Sequence, residues 1–474
     1  MEQKYRNVTL DLLKGYGIIL LVAAHAGVVH GAMISMFHMA IFFIASGYCY
    51  NTRNSEKISM VGKYVIRRLR RLYIPFILWN IFFLVCRELL FKVNIYTDNP
   101  AFLEEGIPGN GYGLTVHLTS EQFWASFKEI LLFQGEQQLE GASWFLRAMF
   151  SASVFFVIYE YLLGRIFKKN IMFARWISAI AFLLFGGWIG EHHIILRLGI
   201  HSIFSIYFLL VVGMYLSSER ILLQRNDLLF NVLLITFTLP ILLALEGKVS
   251  VNLNDSVFSS LPMFVLVSLL GWLLLWAVSN ITLRLKLLMK FLNFCGKHTL
   301  IILMMHFICF KLVSLIQVAV YGYPNYALAA FPCLNSGRTW TWQVANRNVT
   351  HSINDIEIDT SIIPTDKPVL LVSDRWCHSY ASMVKKSREN IELLSCSSNF
   401  LYEDSSEKQY IHTKIEYYEN EGYIYFIHSS QEVGDLKRTK DNWLAPLGLE
   451  MEHKESAVLK NEAIEVYLTQ LNYK

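Results

Sequence analysis

Charge is what this chain lacks most. Asp, Glu, Lys and Arg make up 17% of the 474 residues, against 54% hydrophobic residues. A soluble domain carries about a quarter charged residues to cover its wetted surface, so most of this chain cannot be a water-soluble globule. Cysteine is sparse too. The 7 cysteines show no metal-ligand spacing, which leaves no zinc motif, and a glycine-rich loop able to cradle phosphates is missing. No internal repeat with a period of about 20–50 residues is visible, which excludes solenoids and propellers. The net charge of +4 is small, and the positive residues fall in loops between apolar blocks, so a nucleic-acid partner is not expected.

The apolar blocks themselves are long. About 20 helical residues cross a hydrocarbon core about 30 Å thick, and hydropathy places candidate spans at 8–29, 32–50, 72–92, 142–163, 171–190, 194–216, 228–246, 258–280 and 298–320. The expected fold is an all-α polytopic membrane helix bundle of about nine transmembrane helices. Its first block does not read as a cleaved signal: Asp11 and Lys14 flank it, no small-residue cleavage site follows, and a second span comes almost at once. With the N-terminus in the cytoplasm, the inward loops hold 20 Lys and Arg, and the outward loops hold only Lys128 and Lys248. That asymmetry predicts an N-in topology, and nine spans then put everything after about residue 321 outside.

The composition reverses past that point. Residues 331–474 carry 15 Lys and Arg against 21 Asp and Glu, whereas residues 1–330 carry 27 against 17. Short apolar runs, "PVLLVSD" and "GYIYFIHSS", alternate with helical-looking stretches and predict a small soluble α/β domain. The expected organisation is a membrane domain over 1–324, a linker over 325–365 and an extracytoplasmic domain over 366–474. Cys333, Cys377 and Cys396 lie in this outer part, where a disulfide is permitted but not implied.

Ionisable residues inside spans are where chemistry is to be sought, because lipid offers them no partners. In "LDLLKGYGIILLVAAHAGVVH", Lys14 and His25 lie about 60° and 40° from Asp11 on a helical wheel, so the three share one stripe. Along the axis Asp11 and His25 stand roughly 21 Å apart, one near the cytoplasmic mouth and one deep in the bilayer. If the first two spans turn near 31–32, His38 is level with His25 and can face it. An imidazole near neutral pH can take and return a proton, as activation of a hydroxyl requires. The plainer reading is that each histidine only hydrogen-bonds a neighbouring helix. The basic run "KYVIRRLRRLYIPF" anchors the cytoplasmic face at the least. Arg68 and Arg71, three apart, also read as an anion site that suits the 3′-phosphate and pyrophosphate of coenzyme A.

Taken in order, D-x-x-K-G, the intramembrane His25, "FHMAIFFIASGY" and "RRLRRLYIPF" resemble the acyltransferase-3 family of bacterial membrane acyltransferases. "SWFLRAMF" at 143–150 and "CGKHTLIILMMHF" at 295–307 resemble two later blocks of that family. The resemblance covers roughly 5–330 and is nearest the branch typified by fucose O-acetylases. It implies transfer of an acyl group, usually acetyl from acetyl-CoA, to a hydroxyl of a cell-surface carbohydrate or lipid-linked glycan, in the bacterial plasma membrane. By position Asp11, Lys14 and His25 match the family's first polar motif and Arg68 with Arg71 its basic motif; with His38 placed opposite His25 and no zinc motif in the chain, the expected site has His25, His38 and Asp11 as catalytic residues, Lys14, Arg68 and Arg71 in contact with the acyl-CoA donor, and no metal. Whether the acyl group passes directly or through an acyl-imidazole stays open. The family typically has ten spans, and Arg147 stands where it more often has an uncharged residue.

In the tail, "VLLVSDRWCHSY" and "DNWLAPLG" resemble two blocks of SGNH-type esterases, with Arg375 in place of the nucleophilic serine and Trp443 in place of the base histidine. Neither side chain supports nucleophilic catalysis, so the resemblance implies a degenerate domain. The rival class for the whole chain is a transporter exporting a lipid-linked sugar or polysaccharide, for which inverted hydropathy repeats would speak.

Overall fold

The structure, a computed structural model, describes residues 8–28, 30–99, 102, 115, 117–167, 169–192, 194, 196–218, 227–334, 361–373, 381, 384–385, 388–395, 406–429, 444–460 and 465–473. Most of the expected linker lies outside the described residues, as do Arg375, Trp443, Cys377 and Cys396. Two compact units emerge: Met1–Leu84 with Phe123–His306, and Val85–Gln122 with Phe307–Lys474.

The helices in chain order are α1 Val8–His25, α2 Gly31–Ser35, α3 His38–Tyr48, α4 Ile58–Arg68, α5 Ile74–Val85, α6 Arg87–Lys92, α7 Ser120–Leu131 and α8 Trp144–Ile166. They continue with α9 Ile171–Glu191, α10 Ile200–Ser218, α11 Leu228–Leu245, α12 Leu261–Thr282, α13 Lys286–Lys297, α14 Thr299–Tyr321 and α15 Ser406–Glu421. Among the described residues, seven segments are long and apolar enough to cross a membrane: Val8–His25, Gly31–Tyr48, Gln138–Ile166, Ile171–Glu191, Arg197–Ser218, Leu261–Thr282 and Thr299–Val320. The chain is a multi-pass helical membrane protein.

Nine spans are expected from hydropathy, and the two blocks not among these seven are those at 72–92 and 228–246. The block at 72–92 is not one helix. A π-helical turn, Leu69–Tyr73, leads into the 12-residue α5, and the chain breaks at Cys86 before α6. A hydropathy window averages across such a break because it senses composition and not hydrogen-bond geometry. The block at 228–246 does form α11, capped at its start by the Asp227 side chain accepting from the Leu229 amide at 3.3 Å. Its apolar stretch, Leu228–Ala244, is short for a span, and it carries Pro240, which cannot donate to the helix ladder.

Inside the first unit α10 is buried along nearly its whole length and forms the axis of the core, with α3, α8 and α9 around it. Apolar surface gains nothing by leaving lipid for another helix, so these contacts rest on close packing of backbones. Glycines permit it. A Cβ on Gly47 would stand 2.1 Å from the Leu210 carbonyl oxygen, and one on Gly213 would stand 2.0 Å from that of Ile44. These two glycines lock α3 to α10 from both sides. A short hairpin, β1 Val251–Asn252 and β2 Val257–Phe258, links α11 to α12.

The second unit contains a five-stranded sheet made of β3 Val369–Ser373, β4 Ile391–Ser395, β5 Tyr423–Ser429, β6 Leu449–Lys460 and β7 Glu465–Tyr473, in the order β4-β3-β5-β7-β6. The first three strands are parallel and the last two antiparallel. The two apolar runs noted in the sequence form β3 and β5. β3 is buried at every position, as expected of a parallel strand covered on both faces. Helix α15 packs through Ile411, Ile415 and Tyr418. In the same unit Lys311, on α14, is buried, and its ammonium donates to the carbonyls of Leu328, Ala329 and Ala330 at 3.1, 3.3 and 2.5 Å. Three acceptors for three donors make this buried charge tolerable. Cys333 is a buried reduced thiol, pushed up to about 11 by burial.

Candidate active site

The stripe expected on α1 exists, and its two ends do different things. At the start of the helix Asp11 is buried, and its carboxylate receives the Lys14 ammonium at 2.7 Å, one helical turn on. The polar pair is sealed by α13. A Cβ on Gly296 would meet the Asp11 carbonyl oxygen at 1.8 Å, and one on Gly15 would meet that of Leu292 at 2.2 Å. Both positions therefore demand glycine, and the Asp11–Lys14 turn lies directly beneath α13.

At the far end of α1 stands His25, half-buried. Its Nδ1 lies 3.0 Å from Nε2 of His306, with the two rings 5.1 Å apart and tilted by 43°. His306 is buried in α14, and its own Nδ1 is 2.7 Å from the Leu303 carbonyl. A carbonyl can only accept, so Nδ1 of His306 carries the proton and, in the neutral ring, Nε2 accepts. The proton in the inter-ring bond must then sit on Nδ1 of His25. The lone pair of a neutral His25 is thus assigned to Nε2. One backbone carbonyl sets two tautomers in series, as hydrogen bonds to the distal ring nitrogen generally do.

His38 reaches the same cavity as His25, but by a different connection from the one expected. The first two spans are not joined by a simple hairpin; a turn at 26–30 and the separate α2 intervene before α3 starts at His38. His38 is buried, and its Nδ1 donates to the Ile34 carbonyl at 3.0 Å, which assigns its lone pair to Nε2 as well. His25 and His38 do line one cavity of about 190 Å³, shared with Ser35, Trp144 and Asn252. That volume exceeds several times the roughly 30 Å³ share of one water in liquid.

Two anchors shape the rim of this cavity. Glu246 ties down the turn after α1, receiving His30 Nδ1 at 2.6 Å and the Met33 amide at 3.3 Å. His201 holds the β1–β2 hairpin, with Nε2 donating to the Asn254 carbonyl at 2.7 Å. Within the hairpin the Asn252 amide donates to Asp255 at 2.9 Å, which fixes the side chain that faces the cavity. Arg147, whose role the sequence left in doubt, pairs with Glu136 at 2.5 Å.

The two arginines of the basic run differ in exposure. Arg68 is half-buried and donates to the Tyr64 hydroxyl at 2.8 and 3.0 Å and to the Ser46 hydroxyl at 2.9 Å. Arg71 is exposed. A shared face for them assumes α-helical spacing, and the π turn that begins at Leu69, with its wider i→i+5 bonding, widens the angle between them. A Cβ on Gly17 would touch the Phe42 ring at 3.1 Å, which sets α1 beside α3. With His25 and His38 at one cavity, the two helices run antiparallel. Asp11, Lys14, Ser46 and Arg68 therefore gather at one end of the pair and the two histidines at the other. Among the described residues no group of three or more His, Cys, Asp and Glu is placed to hold a metal ion.

His306 is the residue that sequence reasoning left without a role. Its signal was present: an ionisable ring inside an apolar span, at the end of the "CGKHTLIILMMHF" block. Its partner lies 281 positions away, and no local pattern connects them.

The acyltransferase-3 family model, described as an acyltransferase domain, matches residues 7–334. This is well over half of the chain, and the chain belongs to that family of membrane acyltransferases. No curated protein and no solved structure matches it.

Proposed function

We propose that this protein is an O-acyltransferase of the bacterial plasma membrane. It moves an acyl group, acetyl in the first instance, from acyl-CoA to a hydroxyl of a cell-surface or exported carbohydrate. The observation that carries the reading is the His25–His306 pair: a histidine lining a cavity, with its proton assigned to Nδ1 and its basic nitrogen to Nε2.

The chemistry follows from that assignment. Nε2 of His25 takes the proton of the acceptor hydroxyl as its oxygen attacks the thioester carbonyl. The C–S bond breaks, the acyl ester forms, and the coenzyme A thiolate leaves and regains a proton from the imidazolium. As positive charge grows on His25, the acceptor on its Nδ1–H strengthens, which is the sense in which His306 aids the step. His38 shares the cavity and orients the acceptor sugar. The donor enters at the opposite, cytoplasmic end. Among the described residues Arg68 has only neutral hydroxyls as hydrogen-bond partners there, which a phosphate displaces with gain of charge-assisted bonds, while Arg71 and Lys14 add positive charge. About 16 Å of helix separates Lys14 from His25, a distance that an extended pantetheine arm spans. The C-terminal domain, on the outer side, holds the acceptor glycan.

The test is transfer of labelled acetyl from acetyl-CoA to surface carbohydrate, in membranes matched for protein level. His25→Gln keeps hydrogen-bonding groups of similar reach but cannot shuttle a proton at neutral pH. It should lower transfer at least about 10²-fold, the low end for acid–base catalysis. Near-normal transfer by this variant would refute the catalytic role of His25.

A further inference from the structure

We infer that α13 is an in-plane binding element for anionic phospholipid headgroups, built onto the back of the Asp11–Lys14 turn. The helix has three faces. At about 100° per residue, Lys286, Lys290 and Lys297 fall within about 40° of one another, and Leu287, Phe291 and Phe294 occupy a neighbouring sector about 60° wide. Leu292, Cys295 and Gly296 form the third and are buried. This last face is the one seated on α1 through Gly15 and Gly296. The apolar sector is open: Leu287 is 85% exposed, Phe291 56% and Phe294 59%. The three lysines are exposed as well.

A helix that covers a protein with one face, offers large apolar side chains on the second and a row of ammonium groups on the third fits only one surface. Its apolar side chains enter the acyl-chain boundary while its lysines stay level with the headgroups. Its place in the chain agrees, because it joins two membrane segments, α12 and α14. A zwitterionic headgroup would leave three like charges in a row uncompensated, whereas anionic headgroups neutralise them. Each lysine near such a surface is worth about fivefold in local enrichment of anionic lipid. The consequence is mechanical as well. Leu292 and Gly296 meet the backbone of Gly15 and Asp11 with no spare space, so the depth of α13 in the headgroup layer sets the position of the Asp11–Lys14 turn.

The binding claim does not depend on acyl transfer, and its test reads lipid directly. Full-length protein in detergent micelles is mixed with fluorescent phosphatidylglycerol or with fluorescent phosphatidylcholine, and the lipid retained per protein is measured after gel filtration. The expectation is at least about fivefold preference for phosphatidylglycerol, falling to near parity in Lys286→Gln/Lys290→Gln/Lys297→Gln. The single variant Lys290→Gln, with an intermediate preference, serves if the triple variant does not elute as wild type. Equal retention of the two lipids by the wild-type protein would overturn the proposal. Release of bound phosphatidylglycerol by added coenzyme A would overturn it too, since the lysines would then belong to the donor site.

Discussion

Replacing His306 with phenylalanine isolates the inter-ring hydrogen bond. The ring keeps its approximate volume, so packing in α14 changes little, but the acceptor 3.0 Å from Nδ1 of His25 is gone. Two losses follow. The Nδ1–H of the half-buried His25 forfeits its partner, worth about 1–3 kcal/mol when the donor is left unmade. The imidazole also loses the bond that fixes its tautomer, so part of the population carries its lone pair on the wrong nitrogen. Because the bond strengthens as His25 becomes cationic, the loss falls on the chemical step. At about 1.4 kcal/mol per decade, kcat should drop roughly 5- to 150-fold. The donor end lies at the other end of α1, so KM for acyl-CoA should stay unchanged. Glutamine at 306 offers an amide oxygen of similar reach to accept from Nδ1, and should restore a large part of kcat. A double variant, His25→Gln/His306→Phe, should be no slower than His25→Gln alone, since the second residue acts only through the first. The assay is steady-state acetyl transfer in membranes with protein quantified. Wild-type kcat in His306→Phe, or additive losses in the double variant, would refute the serial assignment of the tautomers.

Two further outcomes bear on the donor side and the topology. Arg68→Ala should raise the apparent KM for acyl-CoA roughly 10-fold or more, the loss of about 1.5–3 kcal/mol from one charge-assisted phosphate contact, with normal membrane insertion; coenzyme A dependence unchanged in both Arg68→Ala and Arg71→Ala would reduce these residues to membrane anchors. A reporter active only outside the cytoplasm should be active when fused after Lys474 and silent after Lys57, whereas silence at Lys474 would place the tail inside.

How much of this was legible beforehand depends on the range of the interaction concerned. The helical membrane class followed from composition alone, because the cost of polar groups in hydrocarbon acts residue by residue along the chain. The strands β3 and β5 were legible for the same reason: a strand buried on both faces must read as an unbroken apolar run. Asp11 and Lys14 were legible as a pair because a single helix period relates them, and the family order of motifs placed His25. Hydropathy could not reveal the break at Cys86 or the π turn at Leu69. Both are changes in backbone hydrogen bonding that leave composition untouched, and they decide why 72–92 is not one helix and why the angle between Arg68 and Arg71 is wider than α-helical spacing gives.

The partner of His25 was beyond any local reading. Two rings 281 positions apart meet because α1 and α14 are brought together in three dimensions; the sequence marks each ring as unusual, but a hydrogen bond needs both at once. Close packing makes the same point. Gly15, Gly47, Gly213 and Gly296 look like indifferent glycines in apolar helices, and only the facing carbonyls of Leu292, Leu210, Ile44 and Asp11 show why no side chain fits there. The sequence by itself determined where the chain prefers lipid to water and which residues are costly to keep there. The tertiary structure decided which of those residues satisfy one another, because a pairwise contact between distant segments exists only once the backbone has closed the distance.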